Sequence, residues 1–214
     1  MKQRTLFIVT ALTLLVAFAV GVLLYTTAQE REAARLAEAN RASLLRMHAP
    51  TLGPAEAPVT IVEFIDPACE TCAEFYPRVK QLLAAHPGRI RLVLRWAPFH
   101  PGSDKVVAAI EAARRQDKLW PALEALLASQ HEWTANHRPD VGRALARLQT
   151  VGLDMERLGF DMTAPEIATA IAQDVADAQT LNVTKTPEFF VNGKPLPRFG
   201  WDELQTLVEE ALAR

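Results

Sequence analysis

The only two cysteines of the chain, Cys69 and Cys72, lie two residues apart and constrain its interpretation more than any other feature. The apolar, β-branched run Val59–Ile65 before them predicts a buried strand, and residues 73–85 after them predict a helix. Cys69 then lies at the helix N-terminus, where unpaired N–H groups and the helix dipole favour a thiolate and lower the pKa of the thiol. Cys72, one turn further along, faces the same way and is expected to be more buried. The spacing predicts a redox pair, with Cys69 as the attacking thiol and Cys72 as the resolving thiol.

Other uses of a close cysteine pair are less well supported. A structural disulfide across two intervening residues closes a very small loop, which gives little chain-entropy stabilisation. A structural zinc site needs four ligands, and the five histidines are scattered rather than spaced as a second ligand pair. Handling of a soft cation such as Cu(I) remains an alternative, because Cu(I) prefers thiolates.

The N-terminus predicts a membrane segment. Lys2 and Arg4 precede an uncharged run, residues 6–25, which at about 1.5 Å per residue is long enough to cross about 30 Å of hydrocarbon. The positive residues on the short leading side place the N-terminus in the cytoplasm and the remainder of the chain outside it. Thr26 and Ala28 offer a signal-peptide cleavage site, but an uncleaved anchor is the expectation. The cysteines would then face a compartment in which disulfides persist.

Composition suggests how the rest of the chain is divided. Residues 29–47 are rich in Ala, Glu, Arg and Leu and contain no Gly or Pro, which predicts a solvated helical stalk. Residues 48–58 contain three prolines and a glycine and are interpreted as a linker. The expected division is a transmembrane anchor at 1–28, a stalk and linker at 29–57, and one folded domain at 58–214.

The first part of the folded domain predicts a βαβ unit. Val59–Ile65 and Ile90–Trp96 are both apolar, β-branched runs, and a helix of suitable length separates them. Such a crossover is right-handed and implies parallel neighbouring strands. The cysteines then lie at the carboxyl end of the first strand, where open α/β sheets place their functional sites.

The second part predicts a helical insert followed by a hairpin and a helix. Strand signals disappear over residues 103–181, which predicts an all-helical insert. Strand character resumes at Glu188–Val191, and Asn192 with Gly193 is typical of a two-residue hairpin turn. An amphipathic helix at 201–213 ends the chain. The predicted order is βαβ, helical insert, ββα.

This order, with CxxC after the first strand and Thr186-Pro187 before the third, resembles the α/β thioredoxin fold. The insert makes residues 58–214 similar to the DsbA branch of bacterial thiol-disulfide oxidoreductases. The resemblance implies that Cys69 is the nucleophile and Cys72 the resolving cysteine. It also implies that Pro187 is cis and lies against the CxxC, leaving the backbone of Thr186 free to pair with an extended substrate segment. The alternative is an ordinary trans proline in a loop.

Glu63 is a third candidate, because it interrupts an otherwise apolar strand six residues before Cys69. A buried carboxylate without a partner should have a raised pKa, which suits it to accept the proton of Cys72. DsbA-like proteins carry an acidic residue at this offset for that purpose. The alternative is that Glu63 faces a lysine or solvent at the edge of the sheet.

The residues between and beside the motifs depart from DsbA, which has Pro-His between its cysteines. Here the pair is Glu70-Thr71, and the negative charge of Glu70 should raise the pKa of Cys69 and make the disulfide less oxidising. Threonine at 186 also differs from the valine of DsbA and looks more like the isomerase relatives. We therefore expect a weaker oxidant than DsbA.

Together these features predict a thiol-disulfide oxidoreductase anchored by one helix in a bacterial inner membrane, with its catalytic domain on the periplasmic side. Its partners would be protein thiols and disulfides and an unidentified protein that resets the pair. No cofactor is needed, because the cysteines store the electrons. The net charge of −2 gives no case for nucleic acid binding. A Cu(I)-handling module, or a dedicated reductase for a partner such as apocytochrome, are the alternatives.

Overall fold

The computed structural model describes residues 2–213 and divides the chain into two compact units, Met1–Ala39 and Asn40–Arg214. One continuous helix, α1 (Lys2–Leu44), carries the apolar run and the predicted stalk except for its last three residues. Within the described residues, it is the one helix long and apolar enough to cross a membrane. The helix fits the predicted anchor. The side chains of Lys2 and Arg4, on which the predicted orientation rests, lie outside the described part.

The second unit begins earlier than predicted. Its start was expected at Pro58, but Leu44 is already 1% exposed and belongs to the core. Strand β1 (Thr51–Leu52) pairs antiparallel with Ile90–Trp96. Gly53 follows with a φ of 90°, and a Cβ there would lie 2.3 Å from a carbonyl oxygen of the neighbouring strand. The prolines and glycine thus shape the approach of an edge strand rather than a free linker.

The main sheet and its neighbouring helices comprise β2 (Val59–Ile65), α2 (Glu70–Ala85), β3 (Ile90–Trp96), β6 (Glu188–Val191), β7 (Lys194–Pro195) and α9 (Trp201–Leu212). The sheet has five strands in the order β1-β3-β2-β6-β7. Strands β2 and β3 are parallel, as predicted, and the remaining neighbours are antiparallel. Helix α2 makes the crossover between β2 and β3, and α9 follows the last strand.

The insert between β3 and β6 differs from the all-helical prediction by a small two-stranded sheet. Asn136 and His137 have φ values of 50° and 58° and form the turn of this hairpin. Each strand has two residues, which is too short for an alternating pattern to predict. The insert comprises α3 (Ser103–Arg114), α4 (Leu119–Ala128), α5 (Gln130–Trp133), β4 (Thr134–Ala135), β5 (Arg138–Pro139), α6 (Val141–Leu148), a 3₁₀ turn (Gln149–Val151), α7 (Met155–Asp161) and α8 (Pro165–Thr180).

The sheet separates two cores, and the alternation of side chains along β2 assigns residues to each. Ile61 and Ile65 lie in the larger core with the two cysteines, α2, α9 and much of the insert. Val62 and Phe64 lie in the smaller core with Leu44. Because Glu63 has the same parity as Ile61 and Ile65, it points toward the cysteine side of the sheet.

A buried charge cluster joins the smaller core to α8 and to the segment after α1. Arg95, fully buried in β3, donates from Nε to Asp174 (2.8 Å) and from Nη2 to Asp177 (2.6 Å). It also donates to the carbonyl oxygen of Leu44 (3.0 Å), and Arg46 pairs with Asp177 at 2.6 Å. These contacts satisfy carbonyl groups at the end of α1 and explain why the compact unit begins before residue 58.

Candidate active site

The two cysteines lie where the sequence predicts them, after the carboxyl end of β2. Cys69 is the N-cap residue of α2, with extended backbone angles (φ −86°, ψ 120°), and Cys72 lies in the first turn. Both thiols are free in this structure. Cys69 is 7% exposed whereas Cys72 is fully buried, so Cys69 is the more accessible of the two residues.

The surroundings of Cys69 favour its thiolate. The pKa of Cys69 is lowered to about 5, mainly because the Cys72 thiol donates a hydrogen bond to its sulfur. The hydroxyl of Thr186 and the backbone N–H groups of Cys72 and Thr71 act in the same direction, while burial opposes them. The predicted lowering of this pKa is confirmed, and its physical cause includes the N-terminal N–H groups of the helix.

The surroundings of Cys72, in contrast, disfavour its thiolate. Burial raises the pKa of Cys72 well above its ordinary value, and the hydrogen bond and negative charge of Cys69 add to that effect. The charge of Glu63 also raises it, while the backbone N–H of Asp66 lowers it. One thiol of the pair therefore ionises readily and the other retains its proton.

Glu70 and Thr71, the two residues between the cysteines, affect the site differently from each other. The carboxylate of Glu70 is exposed and lies 2.5 Å from Nδ1 of His137, on the hairpin of the insert. Glu70 is not among the groups with the largest effect on the pKa of Cys69, and Thr71 acts through its backbone N–H. The predicted influence of Glu70 on the redox potential stays a prediction.

The Thr186-Pro187 segment lies directly against the nucleophile. The peptide bond is cis, as the resemblance implied, so the alternative of a trans proline is wrong. The Cys69 thiol, when protonated, donates to the carbonyl oxygen of Thr186 over 3.1 Å. This segment precedes β6 and brings backbone polar groups beside the reactive sulfur.

Glu63 is fully buried in the middle of the sheet, between Leu94 on β3 and Phe189 on β6. Within the part of the chain that the structure describes, neither carboxylate oxygen has a hydrogen-bond partner. Burial and the negative charge of Cys69 raise the pKa of Glu63 to about 8. The alternative in which Glu63 faces a lysine or solvent is therefore wrong.

Asp66 organises the loop before the cysteines, a role that the sequence analysis did not assign. Its buried carboxylate accepts from the backbone N–H of Ala68 (2.8 Å) and of His100 (2.9 Å). It also lies 2.7 Å from Nδ1 of His100 and accepts from the Ser103 hydroxyl (3.1 Å). The His100 ring stacks on His137, with ring centroids 5.0 Å apart. An aspartate that ends a buried strand just before CxxC is the one sequence signal for this role.

A second contact reaches the same loop from the insert. The side-chain amide of Gln130 donates to the carbonyl oxygens of Pro67 (2.7 Å) and Cys69 (2.9 Å). No local pattern predicts this contact, because more than sixty residues separate the partners along the chain.

Among residues 2–213, no group of three or more His, Cys, Asp or Glu side chains is placed to hold a metal ion, so the Cu(I) alternative gains no further ligand.

Comparison with protein families gives one match that covers most of the chain. A family model described as thioredoxin matches residues 46–210. The chain is 37% identical over 196 residues to a Na(+)/H(+) antiporter NhaA 3 of Salinispora tropica, covering 82% of this chain and 28% of the antiporter. It is 33% identical over 144 residues to the antiporter NhaA of Herminiimonas arsenicoxydans, covering 67% and 22%. The chain thus spans about a quarter of the length of these curated relatives.

Solved structures share the fold. A thioredoxin-like oxidoreductase from Silicibacter pomeroyi is 37% identical with a TM-score of 0.70, and the match covers 81% of this chain and 98% of that one. Oxidised BdbD from Bacillus subtilis is 24% identical with a TM-score of 0.68, covering 78% and 94%. The thiol-disulfide exchange protein alpha-DsbA2 from Wolbachia pipientis is 18% identical with a TM-score of 0.68, covering 86% and 96%.

The buried state of Glu63 makes a testable prediction about stability. Its pKa is raised from an ordinary value of 4.5 to about 8, so the folded protein holds this proton more tightly than the unfolded chain. The stability that it contributes is fully present below pH 4.5 and is lost as the pH rises through about 8. From pH 5 to pH 8, the free energy of unfolding of the reduced wild type should therefore fall by a few kcal/mol relative to Glu63→Gln.

Urea unfolding at a series of pH values measures this difference. Glu74→Gln, at a position 61% exposed on α2, is the matched control and should follow the wild type. If Glu63→Gln and the wild type have parallel pH profiles, the carboxyl group of Glu63 does not have a raised pKa.

Proposed function

Since the chain belongs to the thioredoxin family and has a DsbA-like fold, we propose that it exchanges disulfides with protein substrates through Cys69 and Cys72. The observation that carries the proposal is that the pKa values of the two thiols are shifted in opposite directions. The pKa of Cys69 is lowered to about 5, while that of Cys72 is raised well above its ordinary value. A thiolate attacks disulfides and a protonated neighbour can wait as the resolving thiol, so this asymmetry suits a two-step exchange.

In the first step, the Cys69 thiolate attacks one sulfur of a substrate disulfide. A bond forms between Cys69 and that sulfur, the substrate disulfide breaks, and the other substrate sulfur leaves as a thiolate. In the second step, Cys72 loses its proton and attacks the Cys69 sulfur, which releases the second substrate thiolate. The substrate gains two electrons and the Cys69–Cys72 disulfide forms; the reverse sequence oxidises a substrate dithiol.

Glu63 is the group that we assign to the proton of Cys72. Its carboxyl group is buried without a hydrogen-bond partner among the described residues, and its charge acts on Cys72. With a pKa of about 8, it is present in both protonation states near neutral pH, as proton transfer requires. Capture of the substrate removes the thiolate charge from Cys69, which is one of the two causes of that raised pKa.

Thr186 and Pro187 are proposed to hold the substrate backbone. In the thiol form, the carbonyl oxygen of Thr186 accepts a hydrogen bond from Cys69 over 3.1 Å. Neither the thiolate nor the mixed disulfide of Cys69 has a hydrogen to donate, so in both states the carbonyl group is free to accept from a substrate N–H. An extended segment could then pair beside the sulfur, as in strand addition.

The proposed location follows from α1 and from the redox chemistry. We place the protein in a bacterial inner membrane, crossed once by α1, with the cysteines on the periplasmic side where disulfides persist. A further protein, not identified by the sequence, would reset the cysteine pair after each exchange. The match covers about a quarter of each antiporter, and the proposal concerns that matched region alone.

The redox potential tests the direction of exchange. A pKa of about 5 for Cys69 lies between about 3.5 for DsbA and about 7 for thioredoxin. The potential should accordingly lie between about −120 mV and about −270 mV, which makes the protein a weaker oxidant than DsbA. Equilibration with glutathione buffers measures it. A potential as high as that of DsbA would contradict the weaker-oxidant prediction, and one below that of thioredoxin would contradict a stabilised Cys69 thiolate.

Trapping of covalent partners tests the function itself. In Cys72→Ala, nothing can displace a substrate from Cys69, so mixed disulfides with cellular proteins should accumulate on non-reducing gels and disappear with dithiothreitol. Cys69→Ala in the same background is the control and should trap nothing. Several adducts would support general exchange, whereas one dominant adduct would favour a dedicated reductase. Absence of any adduct would contradict exchange with proteins.

A further inference from the structure

Gln130 connects the helical insert to the backbone of the nucleophile. It opens α5, and the residue is 5% exposed. Both hydrogens of its amide are used, one by the carbonyl oxygen of Pro67 at 2.7 Å and the other by that of Cys69 at 2.9 Å. Because both acceptors are backbone carbonyl oxygens, only the NH₂ end of the amide can face them.

The carbonyl group of Cys69 is also the first acceptor of α2. It accepts from the backbone N–H of Ala73 at 3.2 Å, so Gln130 shares this oxygen with the first turn of the helix. The direction of that carbonyl group defines how the chain passes from the extended conformation of Cys69 into α2. That passage aims the N–H groups of Thr71 and Cys72 at the Cys69 sulfur.

We propose that Gln130 is a positioning residue of the active site, which holds the carbonyl groups of Pro67 and Cys69 so that the Cys69 sulfur meets the N-terminal N–H groups of α2. The inference rests on the proposed role of Cys69 in disulfide exchange and assigns a part of that role to the insert. Gln130 acts through the backbone and has no need to contact the substrate.

Neither glutamate nor methionine can replace both of these hydrogen bonds. A glutamate has the same shape but presents carboxylate oxygens to two carbonyl oxygens, and it adds negative charge beside the thiolate. Methionine fills a similar volume but leaves both carbonyl groups without this donor. The loop itself should persist in such variants, because Asp66 holds it separately through Ala68, His100 and Ser103.

The test is a titration of thiolate absorbance at 240 nm in the reduced full-length chain in detergent, with redox potentials measured in parallel. Gln130→Met should raise the pKa of Cys69 by about one unit, a tenfold change in its ionisation constant, and make the disulfide less oxidising. Gln130→Glu should raise that pKa further. Gln116→Ala is the matched control, because Gln116 also donates to a backbone carbonyl but bonds Asp154 within the insert. It should leave both quantities unchanged.

The outcomes separate this inference from the proposed function. If folded Gln130→Met, judged by circular dichroism and cooperative unfolding, titrates and equilibrates like the wild type, Gln130 is not a positioning residue. If Gln130→Met does not fold, Gln130→Leu, which also lacks the amide donor and adds no charge, decides in the same way. If the wild type fails to catalyse insulin reduction or ribonuclease refolding while the Gln130 variants still shift the pKa, the proposed function fails and the inference about Gln130 stands.

Discussion

The interaction on which the site depends is the contact between the Cys69 sulfur and hydrogen-bond donors at the start of α2. Cys69 is largely buried, and burial alone would raise its pKa. The Cys72 thiol, the Thr186 hydroxyl and two backbone N–H groups outweigh that effect. A buried but anionic sulfur at the surface-facing end of a helix is a nucleophile that retains its reactivity at neutral pH. The fold places the Cys69 sulfur beside these hydrogen-bond donors.

The same arrangement gives the neighbouring groups the opposite preference. Cys72 and Glu63 are fully buried on the cysteine side of the sheet, and both have raised pKa values because burial and the charge of Cys69 disfavour a second anion nearby. In the proposed exchange, capture of a substrate would remove the charge of Cys69, and one cause of the raised pKa values of Cys72 and Glu63 would disappear with it. The ionisation of Cys72 and of Glu63 is therefore coupled to whether Cys69 carries a negative charge. Titratable groups whose environments separate their pKa values are typical of catalytic sites.

The features that the sequence predicted are those carried by local patterns or fixed offsets. The position of Cys69 follows from an apolar strand and a helix on either side, whereas the cis Pro187 against the CxxC followed only from the resemblance to the thioredoxin fold. The early start of the domain at Leu44, the hairpin turn at His137 and the contact of Gln130 depend on packing between distant segments. Such contacts produce no periodic pattern of apolar residues in the sequence, because each of them involves one side chain at one position. The insert, recognised in sequence only as a run of helices, therefore supplies active-site contacts that its own pattern does not indicate.

Ionisation of Cys69 can be measured from the rate at which iodoacetamide alkylates it in the reduced full-length protein, between pH 3.5 and pH 9, with the modified cysteine identified by mass spectrometry. The rate should rise with a midpoint near pH 5, and Cys72 should stay unreactive while the protein is folded. A midpoint near the value of about 8.5 for a free cysteine, or equal reactivity of the two thiols, would contradict the opposite pKa shifts of the two thiols.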